Sequence, residues 1–216
     1  MSKIEIIRNS LKKRHQRESV FKICGLAGII IAIFFLITIL LTIFLEGKKA
    51  FYSTYISLNI NFNSNVIDPD DTKDEKVIKS ANFKKIIDDS LLNYFPEVKK
   101  RKEIMKLQSF ISSSEEQNLM ELVLKNPKLI GTTQKVWLLS SSTVDVINKN
   151  REMEKIIESD RLIDDRQLEW LKTLRFNEDI KLDYNKNFFV NAGSTEPEQA
   201  GIWGSVVGSF FTLLVT

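Results

Sequence analysis

The residue types on which most side-chain catalysis depends are nearly missing from this chain. The only histidine is His15 and the only cysteine is Cys24. Beyond them a histidine-dependent triad, a multi-histidine metal site and a thiolate site are all excluded. Ser141 and Ser142 therefore have no histidine base to activate them as nucleophiles. Asp88 with Asp89, and Asp164 with Asp165, are sequence neighbours. On a helix such side chains diverge, so a helix face or a cap is expected of them rather than acid–base work. The run Asp68, Asp70, Asp71, Asp74, Glu75 carries hard-cation ligands. Aligned as an EF-hand loop from Asp68, it puts Lys73 where glycine is needed and Lys79 where the bidentate glutamate belongs. A solvated acidic loop is the expectation. Gly47-Lys48 lacks the upstream glycine of a phosphate-binding loop, so the chain is not expected to hydrolyse a nucleotide. These absences point to a protein that is not an enzyme, with no catalytic residue, no metal and no cofactor.

The elements that would carry any function are set by hydropathy. From Ile23 to Leu45 no residue is charged. About 20 apolar residues cross a hydrocarbon core of roughly 30 Å, so this stretch is a membrane helix. A mean hydropathy of −0.12 excludes a chain that is membrane throughout. The net charge of +3 is local: residues 1–22 hold seven Lys/Arg against Glu5 and Glu18, leaving 24 basic and 26 acidic residues elsewhere. Lys12, Lys13, Arg14, Arg17 and Lys22 read as a topology signal, not a nucleic-acid footprint. They place residues 1–22 in the cytoplasm, residues 23–45 in the membrane and residues 46–200 in the periplasm. The apolar run is too long for a cleaved signal peptide, and Leu45-Glu46-Gly47-Lys48-Lys49 has no small-residue cleavage site. Ile4, Ile7 and Leu11 have the spacing of a short amphipathic helix on the inner surface.

Residues 201–216 are also uncharged. They read as the start of a second transmembrane helix, truncated by the end of the chain, with Trp203 at the membrane interface. Gly204 and Gly208, with Ser205 and Ser209, give the small-xxx-small spacing by which helix backbones approach closely in lipid.

Residues 46–200 are long enough for one domain. Ile56, Leu58, Ile60 and Phe62 alternate with polar residues and predict a strand. Phe83, Ile86, Ile87, Leu91, Tyr94 and Phe95 fall on one helical face that ends at Pro96. Ile104, Leu107 and Ile111 suggest a second helix. Ser112-Ser113-Ser114 before Glu116 and Gln117 suggests a capping box for a third, ended at Asn126-Pro127. Val136 and Leu138 suggest another strand, Ser142–Asn148 a helical turn, and Met153, Ile156 and Ile157 a short helix. Asp164 or Asp165 is expected to cap a helix carrying Leu168, Trp170, Leu171 and Leu174. Ile180, Leu182 and Tyr184 alternate, and Phe188-Phe189-Val190 prolongs the extended run. Trp137, Trp170, Phe188 and Phe189 are expected in the core, and Lys99-Lys100-Arg101-Lys102 on a solvated face. The fold class is α+β: a periplasmic domain inserted between an N-terminal transmembrane helix and a truncated second one. Pairing of its first and last strands would bring the two membrane entries together.

The stretch Ala200-Gly201-Ile202-Trp203-Gly204-Ser205-Val206-Val207-Gly208-Ser209 resembles the entry into the permease core of bacterial phosphate ABC transporters of the PstA type. Upstream, Val66-Ile67-Asp68-Pro69, Leu129-Ile130-Gly131, Val136-Trp137-Leu138 and Phe188-Phe189 are similar to the N-terminal domain of unknown function in a long-insert subset of those permeases. The resemblance implies a multi-pass subunit of the cell inner membrane. It would form part of a phosphate channel with a second, homologous permease on two ATPase subunits, supplied by a periplasmic phosphate-binding protein. Besides membrane lipid these are its implied partners; nucleic acid is not among them. The alternative is a membrane-anchored periplasmic interaction or sensor domain.

Overall fold

The computed structural model describes the backbone of residues 3–215 and the side chains of residues 18–215. It divides into two compact units, Met1–Lys49 and Ala50–Thr216.

The first unit is one helix, α1 (Lys3–Gly47), which runs on as a 3₁₀ turn at Lys48–Phe51. Glu18–Phe51 is long and apolar enough to cross a membrane. Within it the hydroxyl of Thr38 donates to the Phe34 carbonyl at 2.9 Å and that of Thr42 to the Thr38 carbonyl at 2.9 Å. Both polar groups are thus satisfied by the helix itself, as a hydrocarbon environment requires. The predicted span 23–45 lies inside α1. The backbone around Ile4, Ile7 and Leu11 is helical, while the side chains of those residues and of Lys12, Lys13, Arg14, His15 and Arg17 lie outside the described residues.

The second unit is a mixed α+β domain on a three-stranded sheet. In chain order it holds β1 (Tyr52–Asn61), α2 (Ser64–Ile67), α3 (Glu75–Ser80), α4 (Phe83–Tyr94), α5 (Arg101–Gln108), α6 (Glu115–Lys125), β2 (Thr133–Leu139), α7 (Ser142–Lys149), α8 (Asp165–Phe176), β3 (Ile180–Tyr184), α9 (Lys186–Val190) and α10 (Trp203–Val215). The order across the sheet is β2-β1-β3, antiparallel throughout. Ile56 sits opposite Leu138 on one side and Ile180 on the other. The expected apolar face (Ile56, Leu58, Ile60, Phe62) is buried; β1 packs against α4 and α7, and its face shares one core with apolar residues of α6 and α8. The first and last strands do pair.

Several local expectations are corrected. Ser114 is the N-cap of α6 but makes no side-chain cap bond, because its hydroxyl pairs with that of Ser112 at 3.1 Å. The capping box forms instead at α8, where Asp164 accepts from the Gln167 backbone N–H at 2.8 Å and Gln167 reaches back to the Asp164 backbone N–H at 3.1 Å. Ile111 lies beyond α5, in an isolated bridge with Ser140. Around Met153 there is only a 3₁₀ turn, Arg151–Lys155, and Ile157 is 75% exposed. Phe188-Phe189-Val190 is helical, in α9, because Asn185 caps it by accepting from the Phe188 N–H at 3.1 Å. Leu182 and Tyr184 are exposed although they alternate. Of the four aromatics assigned to the core, Trp170 is fully packed, while Trp137 is 37% and Phe189 38% exposed.

The acidic loop is also not simply solvated. Asp68 is 2% exposed, and its carboxylate accepts from the Thr72 N–H (3.1 Å), the Thr72 hydroxyl (3.0 Å) and the Lys73 N–H (2.6 Å). Asp71 and Lys73 hold left-handed backbone angles, φ 48° and 54°, in the turn that carries these donors past Asp68. The Lys73 backbone bond is the main reason that the Asp68 carboxyl is held below the usual carboxylate range. A depressed folded pKa contributes stability above the unfolded value of about 3.9, and the contribution is lost as pH falls through the folded value. Asp68→Asn is accordingly expected to lower the melting temperature at pH 7 and to cost progressively less below about pH 4. Parallel melts of both proteins across that range check it; a gap that stays constant down to acid pH would sink the assignment.

Candidate functional site

Two segments converge on α9: Ala50–Phe51 ahead of β1, called the entry, and Gln199–Ile202 ahead of α10, called the exit. Asn185, which follows β3, fixes the entry twice: its backbone N–H donates to the Phe51 carbonyl at 2.9 Å and its side-chain amide to the Ala50 carbonyl at 3.3 Å. The same side chain caps α9 through its oxygen. Asn185 is buried, so an unmade bond here would leave a desolvated polar group.

Aromatic rings continue the joint. Phe51 stacks on Phe189 with centroids 5.6 Å apart and meets Phe188 edge-on at 5.6 Å; Tyr184 also stacks on Phe189, at 5.2 Å. These are favoured offset and T-shaped arrangements.

The exit is held to α9 in turn. The Ile202 N–H donates to the Phe188 carbonyl at 2.8 Å, the Gly201 N–H to the Ala192 carbonyl at 2.9 Å, and the Asn191 amide to the Gln199 carbonyl at 2.9 Å. Gly201 passes so close to α9 that an added Cβ would lie 2.6 Å from the Asn187 carbonyl oxygen. A Cβ at Gly204 would stand 3.1 Å from that of Ala192, whereas Gly208 has open space around it. Of the predicted packing residues, then, Gly204 faces Ala192 of its own domain, and Gly208 lies further along an exposed α10 with Ser205 and Ser209. Trp203 opens α10 and is 57% exposed. Lys22 pairs with Glu18 at 2.7 Å.

Sequence reasoning singled out the apolar exit but missed Asn185, Phe51 and Gly201 as the fastening. The one available signal was Asn185 itself, an N-cap residue type three positions before the apolar triplet Phe188-Phe189-Val190.

The charged residues away from this joint serve the fold. Asp164 accepts from Lys106 and caps α8, while Asp165 pairs with Arg161, so the two carboxylates face different partners. Burial pushes the Asp88 carboxyl up, opposed by Lys84 at 3.8 Å. Burial also works against ionisation of Asp179, but hydrogen bonds from Lys135 (2.9 Å) and the Tyr94 hydroxyl (2.7 Å) outweigh it and hold its carboxyl low. Lys99, Lys100, Arg101 and Lys102 are all exposed. Among the described residues no three His, Cys, Asp or Glu side chains are grouped to hold a metal ion.

Residues 8–158 match the family described as a domain of unknown function (DUF3333). The matched stretch runs from within α1 past β2 and α7, and stops before β3 and the exit. No curated protein and no solved structure matches the chain.

Proposed function

The chain belongs to the DUF3333 family, and from that premise we propose that it is the N-terminal part of an inner-membrane permease subunit of an ATP-driven phosphate importer. The observation that carries the reading is the joint itself: entry at Phe51 and exit at Ile202 are fastened to the same short helix, α9. A domain inserted between two consecutive membrane helices needs its two ends side by side. The apolar composition of α1 and α10 and the resemblance of residues 200–209 to phosphate permeases support it further. In this reading residues 1–22 are cytoplasmic, residues 46–200 stand in the periplasm, and α10 enters the membrane at Trp203. A second permease, two ATPase subunits and a periplasmic phosphate-binding protein complete the assembly. The domain is an accessory docking or gating element, because its exposed basic run is not gathered around one point as an anion site would be.

The test has two arms. A periplasm-active reporter fused after Asn150 is expected to be active, and its cytoplasm-active counterpart silent. Deleting the gene is expected to abolish uptake of radiolabelled phosphate under phosphate limitation, with recovery on re-expression. Undiminished uptake, with the periplasmic reporter still active, would instead favour a membrane-anchored interaction module. That second reading draws on α1 being, among the described residues, the one helix long enough to cross a membrane.

A further inference from the structure

The apolar face of the sheet outruns the core that covers it. Ile56 and its partner Leu138 are buried. Towards the start of β1, on the same face, Tyr52 pairs with Tyr184 and Thr54 with Leu182. Tyr52, Leu182 and Tyr184 are exposed. The short helix α9 extends this surface. Phe189 stacks on Tyr184, and the next residue, Val190, is 72% exposed. From Asn187 to Thr195 no residue is charged. The Ile202 N–H bonds to the Phe188 carbonyl, so the start of α10 lies against α9 and adds the exposed Trp203. Four exposed aromatic rings with Leu182 and Val190 are thereby gathered at one end of the domain, a concentration that marks an interaction surface.

The occupant follows from what the surface runs into. α10 leaves from this end with Val206, Phe210, Phe211, Leu213 and Leu214 all exposed. A helix that is apolar all round belongs in hydrocarbon unless protein encloses it. Tyrosine and tryptophan at the base of such a helix are the side chains that favour the boundary between headgroups and acyl chains, where the ring is apolar and its polar tip stays wet. The missing charge at residues 187–195 suits the same low-dielectric layer. We propose that this aromatic end is a lipid contact. α9 and the Tyr52–Tyr184 pair lie in the headgroup layer of the bilayer that α10 enters, and the domain rests on the membrane surface instead of standing off from it.

The proposal rests on the membrane insertion of α10 in the reading above and adds a second, non-spanning contact to it. Side chains that seat at this boundary go roughly 5–10 Å into it. β1 then leads away from the membrane. Its last residue, Asn61, pairs with Thr133 and lies about 30 Å along the strand from Tyr52, at about 3.3 Å per residue. Leu213 lies in the opposite sense, about 15 Å along α10 from Trp203 at 1.5 Å per residue.

The experiment measures depth site by site in the full-length protein, reconstituted in phosphatidylcholine vesicles. Cys24→Ser removes the one native thiol. In that background Val190→Cys, Tyr52→Cys, Leu213→Cys and Thr133→Cys each take a nitrobenzoxadiazole label. All four positions are exposed, so the substitutions spare the core. The vesicles contain either plain lipid, lipid with a nitroxide on the headgroup, or lipid with a nitroxide low on the acyl chain. The Val190 and Tyr52 labels are expected to lose most of their fluorescence to the headgroup nitroxide, and the Leu213 label to the acyl-chain nitroxide. The Thr133 label is expected to lose none to either. Quenching at Leu213, with the Val190 or Tyr52 label as unaffected as that at Thr133, would overturn the lipid contact and leave the insertion of α10 standing. A blue shift of the Val190 label without nitroxide quenching would also overturn it, because a protein, such as a second copy of this chain, would then cover the surface. Absence of quenching at Leu213 and Val190 together would overturn the contact and the insertion of α10 with it.

Discussion

Trp170→Ala is expected to destabilise the domain by about 3–5 kcal/mol, the usual cost of removing a large aromatic from a closed core. Trp170 is 2% exposed and stands between Phe95, at 6.1 Å, and Phe110, at 5.9 Å. Those rings come from just beyond α4 and α5, so the indole locks α8 to both. For a unit of this size the loss corresponds to a fall in melting temperature of roughly 6–20 °C. Trp170→Phe should behave very differently. The indole Nε1 is buried without a partner, so phenylalanine removes an unsatisfied donor while keeping most of the ring. Its net cost is expected to stay below about 1.5 kcal/mol. Thermal melts of the full-length protein followed by circular dichroism compare the two. A Trp170→Ala melt within about 1 °C of wild type would mean that α8 is not anchored through this ring.

Gly201→Ala is the second substitution with a large expected effect. The new methyl would meet backbone atoms of Asn187 and Asn191, which cannot swing aside as a flexible side chain would. Overpacking of this kind costs about 1–3 kcal/mol or more. Here the strain falls on three bonds, those donated by Gly201, Ile202 and Asn191. Amide exchange is expected to accelerate across residues 186–202 with little change in β1 or α8. Gly208→Ala provides the contrast. Its Cβ meets nothing, and alanine is favoured over glycine by about 1 kcal/mol inside a helix, so this change should be neutral or stabilising. Equal exchange rates in Gly201→Ala and wild type across α9 would show that the joint has slack.

How far the sequence was legible depended on the distance over which each element is specified. β1, α4 and α8 carry a full apolar face at the right period, and a fixed period needs no tertiary partner to be recognised. Capping was less readable, because Ser114 and Asp164 offer similar local patterns and only the Ser112 hydroxyl decides that the first stays unused. Phe188-Phe189-Val190 has strand-like composition, yet Asn185 turns it into a helix by spending its side chain on both Phe188 and Ala50. That contact joins residues 135 positions apart, which no local pattern encodes. Asp68 was misread for a related reason: its charge predicted exposure, whereas the loop folds its own N–H groups around it. Of the candidate joint, the apolar exit and Trp203 were visible in composition, and the fastening through Phe51, Asn185 and Gly201 was not.

The sheet order β2-β1-β3 also governs how the domain is made. The central strand is first in the chain, and its neighbours come from residues 133–139 and 180–184. Such pairings have high contact order, and closing their long loops must precede any gain from the contacts. At about 5–20 residues per second, some 6–25 s separate the synthesis of β1 from that of β3. Until β2 emerges the nascent chain carries a ten-residue strand with both edges unpaired, and until β3 emerges one edge stays open, directly behind an apolar helix. Its apolar face and open hydrogen-bonding edges are the combination that invites strand addition by another chain. The late arrival of Asn185, which seals Phe51 and starts α9 in one step, makes the end of this vulnerable period coincide with the closing of the joint.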